Sequence, residues 1–266
     1  MKKRLKKIIY LCLAFFTAFC GCSTIKASNV SALDAYNILN VYAHDPNAQT
    51  EGLIYMDGFL YEGTGPCLNG PSSLRKVEIE TGKILQIREL PESLFGEGIT
   101  IFDDRIIQLT YTSQTGFVYD RETFDLLDEF HLPTKEGWGL TYDGSHLIMS
   151  DGTATLHYLD PLTFKDVKQL QVRDDRGPVY NLNELEFING KVYVNIFETP
   201  IILCISPETG RITGSIDLSI LLKERFKDPE LVNRANGIAH DPATGRLFIT
   251  GKYWPYIFEI GIILVN

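Results

Sequence analysis

Five segments of the chain repeat one pattern, and that repetition limits the fold more than any other feature. They are "EGLIYMDGFLYEGTG" from Glu51, "EGITIFDDRIIQLTY" from Glu97, "WGLTYDGSHLIMSDG" from Trp138, "NELEFINGKVYVNIF" from Asn183 and "NGIAHDPATGRLFITGK" from Asn236, with starts 46, 41, 45 and 53 residues apart. Each joins two short apolar runs through a polar turn, most of them of the Asp-Gly or Asn-Gly kind, a strong hairpin signal. A second hairpin follows each of the first four, as in "SSLRKVEIETGKILQIREL" and "PIILCISPETGRITGSIDL". Four antiparallel strands in about 45 residues make one propeller blade.

The fifth repeat lacks its outermost strand. After Trp254 only "PYIFEIGIILVN" remains, whereas "DAYNILNVYAHD" (34–45) is a strand-like run ahead of the first repeat. Pairing that run into the last blade closes the ring and removes an open sheet edge. The expected fold is therefore all-β: a five-bladed β-propeller over 34–266. The one helical candidate is "LSILLKERF" (218–226), in the insertion that lengthens the fourth interval.

Residues 1–22 stand apart. A basic head (Lys2, Lys3, Arg4, Lys6, Lys7) precedes an apolar run from Ile8 to Phe19 and the sequence "FCGCS". This is the form of a secretory signal, and its end resembles a bacterial lipobox with Cys22 as the lipidated residue. The expectation is an exported, extracytoplasmic protein held to a membrane through Cys22, with 23–33 as linker. Without the five basic residues of the leader, 20 Lys and Arg face 34 Asp and Glu, a net charge of −14. That excludes a nucleic-acid binder, whose affinity rests on cationic contacts to phosphate. Outside the leader only Cys67 and Cys204 remain, with no spacing that fixes their pairing. No Cys/His cluster suggests a metal, so neither metal nor cofactor is expected, and a monomer is.

In a propeller, the start of each innermost strand and the end of its neighbour meet at one face. Here the starts supply Glu51, Glu97, Trp138, Asn183 and Asn236, and the ends are read as Glu62, Tyr111, Asp151, Phe197 and Lys252. A purely structural position would keep one residue type. Acids, amides, an ammonium and aromatics around a concavity suit a polar organic ligand. There is no G-x-S-x-G elbow and no H-x-x-x-H pair, and His44 and His240, both in "AHDP", read as structural.

The motifs "EGLIY", "FGEGIT", "EGWGLTYDG", "LNELEF", "ANGIAHDP" and "LFITGKYWP" resemble, in order and from about His44 to Ile260, the plant and bacterial type of glutaminyl-peptide cyclotransferase. The resemblance implies a five-bladed propeller, an acyltransferase (aminoacyltransferase) activity, and peptides or proteins with N-terminal glutamine as substrates, closed to pyroglutamate with release of ammonia. It implies Glu97 as the catalytic carboxylate, with Asn183 and Lys252 near the reacting amide. Trp138 matches a wall of the site, and Glu51, Tyr111, Phe197 and Asn236 complete the substrate-binding set. Tyr111 and Phe197 stand where relatives often have Trp, and Glu51 where plant relatives have Gln; these departures bear on pocket shape. The competing reading is an exported propeller that binds a peptide or sugar without chemistry.

Overall fold

The protein is described from a computed structural model covering residues 36–68, 70–228 and 234–263. The leader, Cys22 and the linker at 23–33 lie outside the described residues. Five four-stranded antiparallel sheets form the ring. Blade 1 holds β2 (Thr50–Met56), β3 (Phe59–Thr64), β4 (Ser73–Glu78) and β5 (Lys83–Glu89). Blade 2 holds β6 (Gly96–Phe102), β7 (Arg105–Thr110), β8 (Thr115–Asp120) and β9 (Leu126–His131). Blade 3 holds β10 (Leu140–Tyr142), β11 (Leu147–Met149), β12 (Thr155–Leu159) and β13 (Asp166–Gln171). Blade 4 holds β14 (Leu182–Ile188), β15 (Lys191–Ile196), β16 (Ile201–Ile205) and β17 (Ile212–Asp217). Blade 5 holds β18 (Ala235–Asp241), β19 (Arg246–Gly251) and β20 (Tyr256–Ile262), and its fourth strand is β1 (Tyr36–Ala43), as expected for a closed ring.

Burial follows the radius. The innermost strand β6 is buried throughout, while the outermost β5 alternates between exposed and half-buried. Five apolar clusters hold the molecule together, one between each pair of neighbouring blades. The helix α1 (Ser219–Arg225) adds Leu221 and Leu222 to the cluster between blades 4 and 5. The turns Asp57-Gly58 and Asn189-Gly190 have positive φ at both residues, the backbone whose twist suits a tight hairpin.

Four of the five inner strands share one irregularity. Pairing slips between Thr50 and Gly52, Gly96 and Ile99, Leu182 and Leu185, and Ala235 and Ile238. Such bulges re-aim a side chain. Glu51, Glu97, Asn183 and Asn236 all fall within them. The residue after the re-aimed one is then pressed against the next blade. A Cβ on Gly98 would lie 2.4 Å from the Trp138 carbonyl oxygen, and one on Gly139 would lie 2.1 Å from that of Asn183. Blade 4 alone has a side chain there. Glu184 turns into the channel, where its oxygens accept the N–H groups of Leu53 (3.2 Å) and Ile238 (2.9 Å), from blades 1 and 5.

Two residues along, Glu186 accepts the N–H of His240 (3.0 Å) and pairs with the Thr141 hydroxyl (3.2 Å). Burial pushes its carboxyl up to about 8, against the pull of those hydrogen bonds.

The seam where the chain ends meet is ionic. Glu62 is not at the rim as expected: it lies mid-strand in β3 opposite Leu53, buried beside blade 5. It accepts His44 Nε2 (2.9 Å) and the Thr50 hydroxyl (2.7 Å), and Arg75 Nη1 is 3.8 Å away. His44 Nδ1 lies 2.6 Å from the Trp254 carbonyl. Burial opposes both charges, but each outweighs it for the other, so the His44 ring is raised and the Glu62 carboxyl lowered. Cys67 and Cys204 are not bridged.

Two expectations follow. Removing residues 36–43 exposes the edge of β20 and lowers the melting temperature of the whole ring, a loss that calorimetry detects; unchanged melting would disprove the closure role. Glu186 binds a proton in the folded state that the unfolded chain has released. Its stabilising contribution is therefore complete below about pH 4.5 and lost as pH rises through about 8. Glu186→Gln keeps the neutral form's hydrogen bonds, so its stability should exceed wild type at pH 9 by on the order of a few kcal/mol, with the gap closing by pH 5.

Candidate active site

The bulges and strand ends gather one cluster at the mouth. Lys252, just beyond β19, places Nζ 2.6 Å from Glu51 Oε2. Asn236 Nδ2 donates to the same oxygen (3.1 Å) and to the Thr50 carbonyl (2.9 Å). Glu51 is wholly buried and Lys252 nearly so. Glu97 is 6% exposed and adjoins this pair. Burial, then the charge of Glu51, raises the Glu97 carboxyl well above the usual range; Lys252 pulls the other way and Glu136 adds to the rise. Glu51 is also raised by burial, and Lys252, Gln49 and Asn236 oppose that. One ammonium thus serves two buried carboxyls, and the lesser-served one, Glu97, is raised the more strongly.

Aromatic rings form the opposite wall. Tyr111 and Trp138 have centroids 6.4 Å apart, Trp138 and Phe197 5.4 Å, and Lys252 Nζ sits 5.5 Å from the Phe197 centroid. Asn183 occupies the blade 4 bulge. Its carbonyl accepts the Ser150 hydroxyl (2.8 Å), and its side-chain amide has no hydrogen-bond partner among the described residues.

All eight residues expected at the site from the sequence are therefore placed around one mouth. Two others read as rim residues are not part of it. Glu62 belongs to the seam, and Asp151 turns to His157 (3.4 Å) and the Thr153 hydroxyl (2.6 Å). In blade 1 the position matching Tyr111 is Gly65, and a Cβ there would strike the Phe95 ring at 2.7 Å.

Apart from Gln49, which stands where relatives often have Phe, the sequence reading missed a second set. Two residues before each re-aimed side chain stand Gln49, Phe95, Glu136, Asn181 and Arg234. Gln49 accepts the Tyr253 hydroxyl (2.7 Å), Phe95 packs on Tyr111 (5.7 Å), and Glu136 Oε2 accepts the Trp138 indole N–H (3.0 Å). Extending the repeat alignment two residues upstream reveals this set, whose chemistry varies as much as the first. Among the described residues no group of three or more His, Cys, Asp and Glu side chains is arranged to hold a metal ion.

Fold and site together define a class: closed five-bladed propellers whose mouth joins a buried, raised carboxyl, an ammonium–carboxylate pair and an aromatic wall. Comparison with known proteins makes this specific. The family model described as glutamine cyclotransferase matches residues 10–262, and the chain belongs to that family. The glutaminyl-peptide cyclotransferase of Arabidopsis thaliana is 38% identical over 270 residues, 97% of this chain and 84% of the relative. The crystal structure of Myxococcus xanthus glutaminyl cyclase superposes with a TM-score of 0.78 at 33% identity, covering 87% of this chain and 97% of that one.

Truncation of Lys252 leaves Glu51 as a buried charge without its partner. Lys252→Ala should cost about 3–5 kcal/mol of stability, the usual scale for breaking such a pair. Adding Glu51→Gln should recover most of the loss, because no charge is then stranded. A urea-denaturation cycle of the two single variants and the double variant measures the coupling; additive losses would refute it.

Proposed function

We propose that the protein is a glutaminyl-peptide cyclotransferase that closes the N-terminal glutamine of peptides and proteins to pyroglutamate and releases ammonia. Family membership supports this reading. The observation that carries it is Glu97, a buried carboxyl raised well above the usual range beside the Glu51–Lys252 pair.

The neutral α-amine attacks the side-chain amide carbon of its own residue. A C–N bond forms to the amine, and the bond to the amide nitrogen breaks. The attacking nitrogen loses one proton and the leaving nitrogen gains one, so a single relay balances the reaction. Glu97 gives its proton to the leaving nitrogen and takes one from the attacking nitrogen. A carboxyl raised toward neutrality suits both transfers. Because the attack is intramolecular, holding the glutamine in its ring-closing rotamer removes much of the entropic barrier. Tyr111, Trp138 and Phe197 supply the walls for that. The free Asn183 amide and the Lys252 ammonium stabilise charge on the amide oxygen, while Glu51 and Asn236 hold Lys252 in place. The acyl carbon passes from one nitrogen to another, so the reaction is an aminoacyl transfer. In the same reading the leader exports the chain, Cys22 carries a lipid, and the propeller acts as an extracytoplasmic monomer on exposed peptide termini.

The purified protein should release ammonia from Gln-Ala. Glu97→Gln keeps the side chain's size but cannot relay a proton, so kcat should fall by roughly 100-fold or more, with KM changed much less. Ordinary turnover by Glu97→Gln would remove Glu97 from the relay. Absence of ammonia release by the wild type would leave a propeller that binds without chemistry.

A further inference from the structure

Recognition of the substrate's charge rests on the cyclotransferase reading and points to a residue outside the set expected from the sequence. A free N-terminal glutamine carries an α-ammonium whose pKa is about 7.7–8.0, so it reaches the site largely as a cation. Three carboxyl groups stand at the mouth. Burial and the Glu51 charge raise the Glu97 carboxyl well above the usual range, which disfavours its anion. Glu51 is already neutralised by Lys252 at 2.6 Å and shares the same oxygen with Asn236. Glu136 is different. Its Oε2 is fixed by the indole N–H of Trp138 (3.0 Å), and its backbone carbonyl accepts the Thr134 hydroxyl (2.7 Å). Among the described residues no Lys, Arg or His lies within ion-pair distance of it, and the side chain is half-buried, open to an arriving ligand.

We propose that Glu136 is the recognition carboxylate for the substrate's α-ammonium: a specificity-determining residue, held in place by Trp138, that selects peptides with a free cationic terminus. The carboxylate is ordered before substrate arrives, so little side-chain entropy is lost on binding. The Trp138 ring beside it offers a π face to the same cation. The position also faces the chemistry, since the Glu136 charge is felt at both Glu97 and Tyr111. Recognition concerns the arriving cation; ring closure begins once that proton has left to water.

The test is steady-state ammonia release from Gln-Ala and Gln-Lys by wild type, Glu136→Gln and Glu136→Ala at low and high salt. Glu136→Gln retains an oxygen for the indole N–H, so its tryptophan fluorescence should match wild type. KM for both dipeptides should rise about tenfold or more, the scale of a lost hydrogen bond to a charged group, with kcat changed by less than about threefold. The fall of kcat/KM with salt should flatten, because screening has less charge to act on. Glu136→Ala also frees the indole and should lower kcat as well. An unchanged KM in Glu136→Gln overturns the assignment. A rise confined to Gln-Lys also overturns it, placing Glu136 at the second residue of the peptide. If wild type releases no ammonia, the cyclotransferase reading itself fails, and this assignment with it.

Discussion

The molecule depends on how closely five inner strands can approach one another at the mouth. Four of them are bulged there, and each bulge points one residue into the opening: Glu51, Glu97, Asn183 and Asn236, with Trp138 at the matching place ahead of β10. The next residue must then pass the backbone of the neighbouring blade. In four blades it is glycine, and a methyl group at Gly98 or Gly139 would meet backbone at 2.4 or 2.1 Å. In the fifth case Glu184 uses the free space of the channel and ties its own blade to two others. The positions of the groups at the mouth are therefore set by contacts between backbones, which are stiffer than contacts between side chains.

The same ingredients produce opposite charge states in two places. At the seam one carboxylate, Glu62, has His44, Thr50 and Arg75 around it, and burial loses to these partners. At the mouth one ammonium, Lys252, faces two carboxyls. Its closest contact is Glu51, yet burial wins at both carboxyls, and by more at Glu97. The raised carboxyl of Glu97 thus reflects burial and a local count of charges, not an unusual side chain. Glu184 and Glu186 show how widely the channel holds buried acid, each raised by burial.

Much of this was legible in the sequence because propeller blades repeat. The number of blades, the closing role of the first strand, the short helix and the eight residues around the mouth all follow from aligning five hairpins. What escaped had a physical cause. β3 runs on to Thr64, so ending the strand at Glu62 placed that residue at the rim when it lies mid-strand. Asp151 carries the right chemistry, but its partner His157 lies in the next strand, and no local pattern announces that pairing. Glu136 and Phe95 stand just before their strands, where apolar alternation gives no signal, although their spacing from Trp138 and Glu97 repeats. Glu184 and Glu186 give no signal either, because nothing in one strand reveals the backbone donors of two other blades.

The closing strand has a consequence for the order of synthesis. β1 is made first, yet its partner β20 is made last, so the earliest strand waits unpaired while almost the whole chain is produced. Glu51 and Lys252, about 200 residues apart, obey the same timetable. Neither the circle nor the charge pair exists on any unfinished chain. Pairings of such long separation are slow to form, and the intermediate carries an open edge at each end of the ring. A nascent fragment of this protein is thus inert by construction, and catalytic competence arrives in one step, with the final blade.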